Sequence, residues 1–360
     1  MARYINTRYR QFRFLLNKAF PSWEPLLSVR RFWNLMFSYL QWKFGISFFA
    51  TKPTMLTVEV VRGCNINCIM CGAGETKKSF LSFDKFKELI ENFEETIFIF
   101  LYLWGEPFLS KDITKIIRYA SVQKSKIVTV YSNFTVLPDE VELINSEPYE
   151  ITASIDTFDK KKYEFIRTGA KFDKVIENLQ KLIKTKQKLR KNFPIIGINS
   201  IVSEETLDDF ELNIKMAIEL GVDKIKFQGL FPFPKTGLKD ISDRNKIKKI
   251  TEIKKKYSDR IKIEILPFYG GIGDDFPKGY CFLAHFSGAI DTNGYALPCC
   301  MPNQFFNNLS ALLLSSYRND SILGNVFEDH KTYIRNRVDF LRSFRNSRPT
   351  FCSNCPLYYR

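Results

Sequence analysis

Three cysteines, Cys64, Cys68 and Cys71, stand in the run Val61-Arg62-Gly63-Cys64-Asn65-Ile66-Asn67-Cys68-Ile69-Met70-Cys71, directly behind the strand-like segment Leu56–Val61. This C-x3-C-x2-C spacing constrains the chain more than any other feature. Three thiolates on one short loop can hold three irons of a cubane [4Fe–4S] cluster, leaving the fourth iron open to a small molecule. A four-thiolate site would favour electron storage instead. The competing reading is zinc, which calls for four ligands in paired C-x2-C arrangements. No fourth Cys or His lies near this loop.

From Met55 onward, short apolar runs alternate with amphipathic stretches. Expected strands are Leu56–Val61, Thr96–Leu103, Ile127–Tyr131, Glu150–Ile155, Ile195–Ile201 and Lys224–Gln228. Expected helices include Asp84–Phe93, Asp112–Gln123, Phe172–Leu189 and Leu207–Leu220, the last stopped by Gly221. Strands alternating with helices of this length predict βαβ units and a parallel sheet. After Ile265 the alternation stops, and Gly270-Gly271-Ile272-Gly273 with Pro277 reads as a linker into a small domain.

The cysteine loop behind its strand resembles the radical S-adenosylmethionine (SAM) superfamily. There the open iron chelates SAM, and reductive cleavage yields methionine and a 5′-deoxyadenosyl radical. The resemblance implies an α/β fold, a partial parallel (β/α)6 barrel with its chemistry at the carboxyl ends of the strands. It extends to Leu103-Trp104-Gly105-Glu106-Pro107, similar to the family's Gly-Gly-Glu or Gly-Glu-Pro motif, with Trp104 in place of the first glycine. By that likeness Gly105 and Glu106 meet the amino group of SAM, where a carboxylate suits an ammonium. Met70 takes the position beside adenine. Asn133, in Tyr131-Ser132-Asn133-Phe134-Thr135, resembles the family's Thr-Asn-Gly-Thr segment. Ser154 faces the SAM ribose or carboxylate, and Arg167 neutralises the carboxylate through its fork of donors. Asn199 and Gln228 are weaker candidates for ribose or substrate contacts.

A second cysteine set comprises Cys281, Cys299, Cys352 and Cys355, with Cys300 as an alternate to Cys299. Asp291-Thr292-Asn293-Gly294 reads as a turn between two short strands that brings Cys281 toward Cys299. The set resembles a twitch domain, the shortened relative of SPASM domains, with one auxiliary [4Fe–4S] cluster. Structural zinc is the alternative. His285 and His330, the only histidines, lie in no metal-ligand pair.

Residues 1–52 hold nine basic residues against Glu24, and three of the four tryptophans. Helical periodicity over Pro25–Ile46 places Trp33, Phe37, Leu40 and Phe44 on one stripe, with Arg30, Asn34, Ser38 and Gln41 opposite. The charge-free stretch Phe32–Trp42 is shorter than the roughly 20 apolar residues a bilayer span needs. The stripe is suited to an anionic membrane surface; the alternative is packing against the next domain. Expected domains are thus a basic aromatic helical extension (1–52), a radical SAM core (53–268) and a SPASM/twitch-like domain (269–360).

The net charge of +15 is weak ground for nucleic acid, and none is expected. Eight cysteines in two groups without a secretory h-region indicate a reducing, cytoplasmic setting. The leader adds an expectation of peripheral placement at the inner face of the membrane. Expected cofactors are SAM and two [4Fe–4S] clusters, with a reductant such as flavodoxin or ferredoxin as partner. The leading substrate class is a lipid or lipid-linked sugar. The alternatives are maturation of a ribosomal peptide or protein side chain, and a non-catalytic Fe–S electron carrier.

Overall fold

The computed structural model describes residues 28–230, 238–239, 241, 243–266, 281–300 and 322–346. Cys352 and Cys355 lie outside these residues, as does the glycine-rich linker. Seven strands run parallel in chain order: β1 (Met55–Val58), β2 (Phe98–Leu101), β3 (Ile127–Ser132), β4 (Glu150–Ser154), β5 (Ile195–Val202), β6 (Lys224–Gly229) and β7 (Lys262–Ile265). An eighth, β8 (Ser287–Ile290), joins parallel to the free edge of β1. It turns through Asp291–Gly294 into antiparallel β9 (Tyr295–Leu297), which pairs with β10 (Gly324–Asn325). The sheet is therefore one ten-stranded unit, β10-β9-β8-β1 to β7.

Beyond the six expected core strands and the two short strands expected on either side of Asp291–Gly294, the sheet includes β7 and β10. Lys262-Ile263-Glu264-Ile265 alternates charge with apolar residues, and Gly324-Asn325 is only two residues long.

The helices follow the sequence closely. After α1 (Val29–Phe44) come α2 (Phe83–Asn92), α3 (Ile113–Arg118), α4 (Glu140–Asn145), α5 (Lys160–Ile166), α6 (Phe172–Lys188), α7 (Phe210–Leu220), α8 (Arg244–Tyr257), α9 (Phe282–Phe286) and α10 (His330–Asn346). Polar caps fix several starts: Ser82 accepts from Lys85 N and Asp159 from Lys162 N, satisfying amides with no helical partner. Val128, Val130, Ile225 and Phe227 pack in the main core with Leu89, Ile116, Leu179 and Ile214 of the helices. Strand side chains alternate between faces, so Tyr131, Lys224, Lys226 and Gln228 turn to the inner face.

The sequence leaves open what the N-terminal helix packs on. Trp42 is fully buried, edge-on to Phe282 and Phe286, in a cluster with Leu35, Met55, Phe98 and Ile127. Helix α1 thus covers the ends where β1, β2 and β3 begin. Arg31 fixes it by donating to the carbonyls of Glu94, Lys124 and Ser125. The polar residues expected on the solvent side, Asn34, Ser38 and Gln41, are buried instead. Asn34 exchanges two hydrogen bonds with the Lys52 backbone, and Gln41 bonds Thr51 and the Phe49 amide. The returning loop thus satisfies Asn34 and Gln41, while the buried Ser38 hydroxyl has no hydrogen-bond partner among the described residues. Trp33 and Phe44 of the apolar stripe are exposed, while Phe37 and Leu40 are half-buried.

Candidate functional site

The cysteine loop is stitched to the strand ends around it. Gly63, at φ +83°, donates to the Trp104 carbonyl at 2.7 Å and forms a parallel bridge with Gly105. A Cβ on Gly105 would stand 2.1 Å from the Val61 carbonyl oxygen, so only glycine permits this approach. From the other side, Asn67 N donates to Thr168 O and Ile69 N to Ile166 O. Cys64, Cys68 and Cys71 lie in one another's electrostatic field. Burial pushes all three thiols up, Cys68 to about 12. Three neighbouring thiols that burial keeps protonated are a donor set that a strongly cationic centre would convert to thiolates, which a metal cluster supplies. Among the described residues, no three Cys, His, Asp or Glu side chains are grouped for a single metal ion.

Glu106 and Asn133 meet beside Cys64. Glu106 is buried, its Oε1 accepting from Phe108 N at 3.0 Å and Oε2 from Asn133 N at 2.7 Å. Burial raises its pKa to about 7, against the lowering effect of these amides. A carboxylate retains lone pairs beyond two such bonds, so it can also accept from an ammonium, and the cation would draw off its proton. Asn133 Nδ2 donates to Cys64 Sγ at 3.4 Å and to Asn65 Oδ1 at 3.0 Å. Arg167 is clamped by Asp156 through Nε at 2.8 Å and Nη2 at 3.0 Å, leaving Nη1 4.0 Å from Cys68 Sγ. Its cation is therefore held at the cluster loop with its strongest partner already inside the protein.

The other sequence candidates fall into two places. Ser154, Asn199 and Lys226 share one register row across β4, β5 and β6, with Gln228 one inward position beyond Lys226. Met70 is buried in a small apolar cluster with Ile166, Leu230 and Leu238. Asp156, Asn65 and Thr135 escaped the sequence candidates, although Asp156 stands only two residues beyond Ser154. Its signal was an acid two residues past a candidate, with an arginine one helix later.

In the second set, Cys281 lies in the field of Cys300, and burial raises both thiols. Cys299 is buried and acts electrostatically on Arg337. The Tyr102 hydroxyl lies beside Cys300 and Thr57, connecting this set to the inner face of the sheet. Between the two sites, Arg62 bridges Glu59, with its Nε 3.0 Å from Oε2, and Asp291, with its Nη2 3.1 Å from Oδ2. Glu59 also accepts from the amides of Trp104 and Thr292. One buried ion network thus ties the cysteine loop, the Gly105 loop and the β8–β9 turn together.

Comparison with known proteins agrees with this layout. The radical SAM superfamily profile matches residues 58–216, and that of SPASM, an iron-sulfur cluster-binding domain, matches residues 281–356. An AdoMet-dependent heme synthase of Methanosarcina barkeri is 27% identical over 198 residues, 53% of this chain and 54% of that protein. A probable GTP 3',8-cyclase of Sulfurisphaera tokodaii is 25% identical, covering 58% and 66%. The matches thus span between half and two thirds of these relatives. In structure, Streptococcus suis SuiB bound to S-adenosylmethionine aligns over 90% of this chain and 75% of its own, with TM-score 0.65 and 17% identity. Native anSMEcpe with bound AdoMet and Cp18Cys peptide aligns over 84% and 85%, with TM-score 0.56 and 14% identity. The domains imply SAM, a [4Fe–4S] cluster and further iron–sulfur content as cofactors. The chain carries a radical SAM superfamily domain over residues 58–216 and a C-terminal SPASM iron-sulfur cluster-binding domain over residues 281–356.

Proposed function

We propose that the chain is a SAM-cleaving enzyme that modifies a side chain of a peptide or protein. The observation that carries this reading is the extent of the fold likeness. Core and cysteine-bearing hairpin together follow SuiB over 90% of the chain, and SuiB has also been crystallised with its precursor peptide SuiA.

In this reading Cys64, Cys68 and Cys71 hold the SAM-binding cluster. Cys281, Cys352, Cys355 and one of the adjacent pair hold a single auxiliary cluster, with Cys300 favoured over Cys299 by its place beside Cys281 and Tyr102. When bound, cluster and SAM supply hydrogen-atom abstraction from an unactivated carbon. The chain's own part is positioning: Glu106 offers a carboxylate to the SAM ammonium, and Arg167, oriented by Asp156, keeps positive charge beside Cys68. Residues 53–268 would form the core and 269–360 the auxiliary domain. A flavodoxin- or ferredoxin-like reductant is the expected electron donor, in a reducing compartment.

Anaerobically reconstituted protein should hold about eight irons per chain, as two [4Fe–4S] clusters, and should cleave SAM under reduction. Replacing Cys64, Cys68 and Cys71 by alanine should leave about four irons and no cleavage. Intact iron content without SAM cleavage would point to the electron-carrier alternative.

A second reading, a lipid or lipid-linked sugar at a membrane face, has one structural support. Val29, Phe32, Trp33, Phe44, Phe48 and Phe49 are exposed around α1, with Lys43 over the Tyr39 and Phe44 rings. Such a patch suits the interfacial region of a bilayer. Among the described residues, no helix is long and apolar enough to cross one. In this reading, Trp33→Ser with Phe44→Ser should abolish flotation with anionic liposomes at low salt while leaving iron content unchanged. Failure of the wild type to float leaves the peptide reading alone.

A further inference from the structure

We propose that Lys226, backed by Tyr131, is the point in the barrel lumen that binds a carboxylate of the substrate. This rests on the peptide reading for its source, an acidic side chain or a C-terminus, but not for its chemistry.

Strand β6 sends three polar residues inward, Lys224, Lys226 and Gln228, because Ile225 and Phe227 take the outer core. The two lysines have different partners. Lys224 Nζ is 2.8 Å from Glu150 Oε2 and 3.7 Å from Glu264 Oε2, so its charge is compensated within the wall. Lys226 makes no ion pair with any described carboxylate. Its Nζ donates to the Tyr131 hydroxyl at 2.7 Å and lies 4.5 Å from the centre of that ring. A neutral phenol and a ring face orient an ammonium but do not neutralise it. Burial lowers its pKa to about 8, with Glu150 and Glu264 acting the other way from their places beside Lys224.

The neighbours of Lys226 on the inner face are partly open to solvent. Lys226, Tyr131, Tyr102, Ser154 and Gln228 are all half-buried. The Tyr131 ring stands 5.1 Å from that of Tyr102, whose hydroxyl lies beside Cys300. In the register row of Lys226, Asn199 Oδ1 is buried with no hydrogen-bond partner. An enclosed cation that the protein leaves unpaired is costly unless an anion completes it. One ammonium beside a neutral phenol matches the single charge of a carboxylate, whereas the second charge of a phosphate would stay uncompensated. Through the Tyr131 and Tyr102 rings the position connects to Cys300 of the second cysteine set.

The test uses SAM-loaded holoenzyme and ligand-observed NMR with glutarate, its neutral analogue glutaramide, and a hexapeptide carrying Glu or Gln. Glutarate should bind about tenfold tighter than glutaramide, as one charge-assisted contact implies. That preference should vanish in Lys226→Met and persist in Lys226→Arg, with iron content and SAM affinity unchanged in both. No preference in the wild type, or a preference surviving Lys226→Met, overturns the proposal. So does a parallel loss of SAM affinity, which would make Lys226 a SAM contact. If glutarate discriminates while the Glu and Gln peptides bind alike, the carboxylate site stands and the peptide reading falls.

Discussion

Gly105→Ala should strip the SAM-binding cluster from the protein while leaving the barrel folded. The added Cβ would meet the Val61 carbonyl oxygen at 2.1 Å and the Gly63 carbonyl oxygen at 2.8 Å. Both are backbone atoms and cannot rotate away. Relief requires the Gly63–Gly105 bridge to open, which moves Cys64 and releases Glu106 from its place beside Asn133. Overpacking of this kind costs about 1–3 kcal/mol, and more where backbone must shift. The expected result is iron content reduced by about four per chain. SAM-induced changes in the reduced-cluster EPR signal should be lost, with far-UV circular dichroism close to wild type. Full iron and unchanged SAM binding would show that the loop tolerates the displacement.

The second large effect is expected at Arg62. Glu59 and Asp291 are both fully buried, and Arg62 is the cation between them. Arg62→Met leaves two carboxyl groups sharing one enclosed site, a loss of about 3–5 kcal/mol. Its pH dependence carries a definite sign. Burial already raises the folded-state pKa of Glu59 to about 7, above its unfolded value of 4.5. The folded state therefore holds more protons than the unfolded one between these values, and this group's contribution to stability falls as pH rises through the window. Without Arg62 both carboxyls shift further up, so the deficit should be greatest at pH 8 and shrink toward pH 6. Thermal unfolding of variant and wild type across that range checks it. A pH-independent difference would place the role of Arg62 in packing alone.

The cysteine loop and the six-fold alternation were legible because each rests on local signals: ligand spacing, and apolar runs stopped by Gly, Pro or caps. The Gly105-Glu106 turn was legible for the same reason. What the sequence hid is non-local. Nothing near Lys262 or Ser287 says that these short segments extend a sheet begun at Met55. The inward turn of Asn34 and Gln41 could not be read from helical periodicity, because the partners that satisfy them come from the loop at 49–52. Lys226 looked like any lysine in a lysine-rich chain. Only strand register separates it from Lys224, whose partners lie on β4 and β7.

The pairing of β8 with β1 sets an order of assembly during synthesis. Ser287 pairs opposite Met55, about 230 residues earlier in the chain, so at ribosomal speed β1 waits on the order of ten seconds or more for its neighbour. Through that interval one edge of a strand destined for complete burial stays open. An open apolar edge invites pairing with other chains. The same interval leaves the Cys64–Cys71 loop reachable before Arg62 locks onto Asp291. The loop therefore takes its locked position only after the β8–β9 turn has been made.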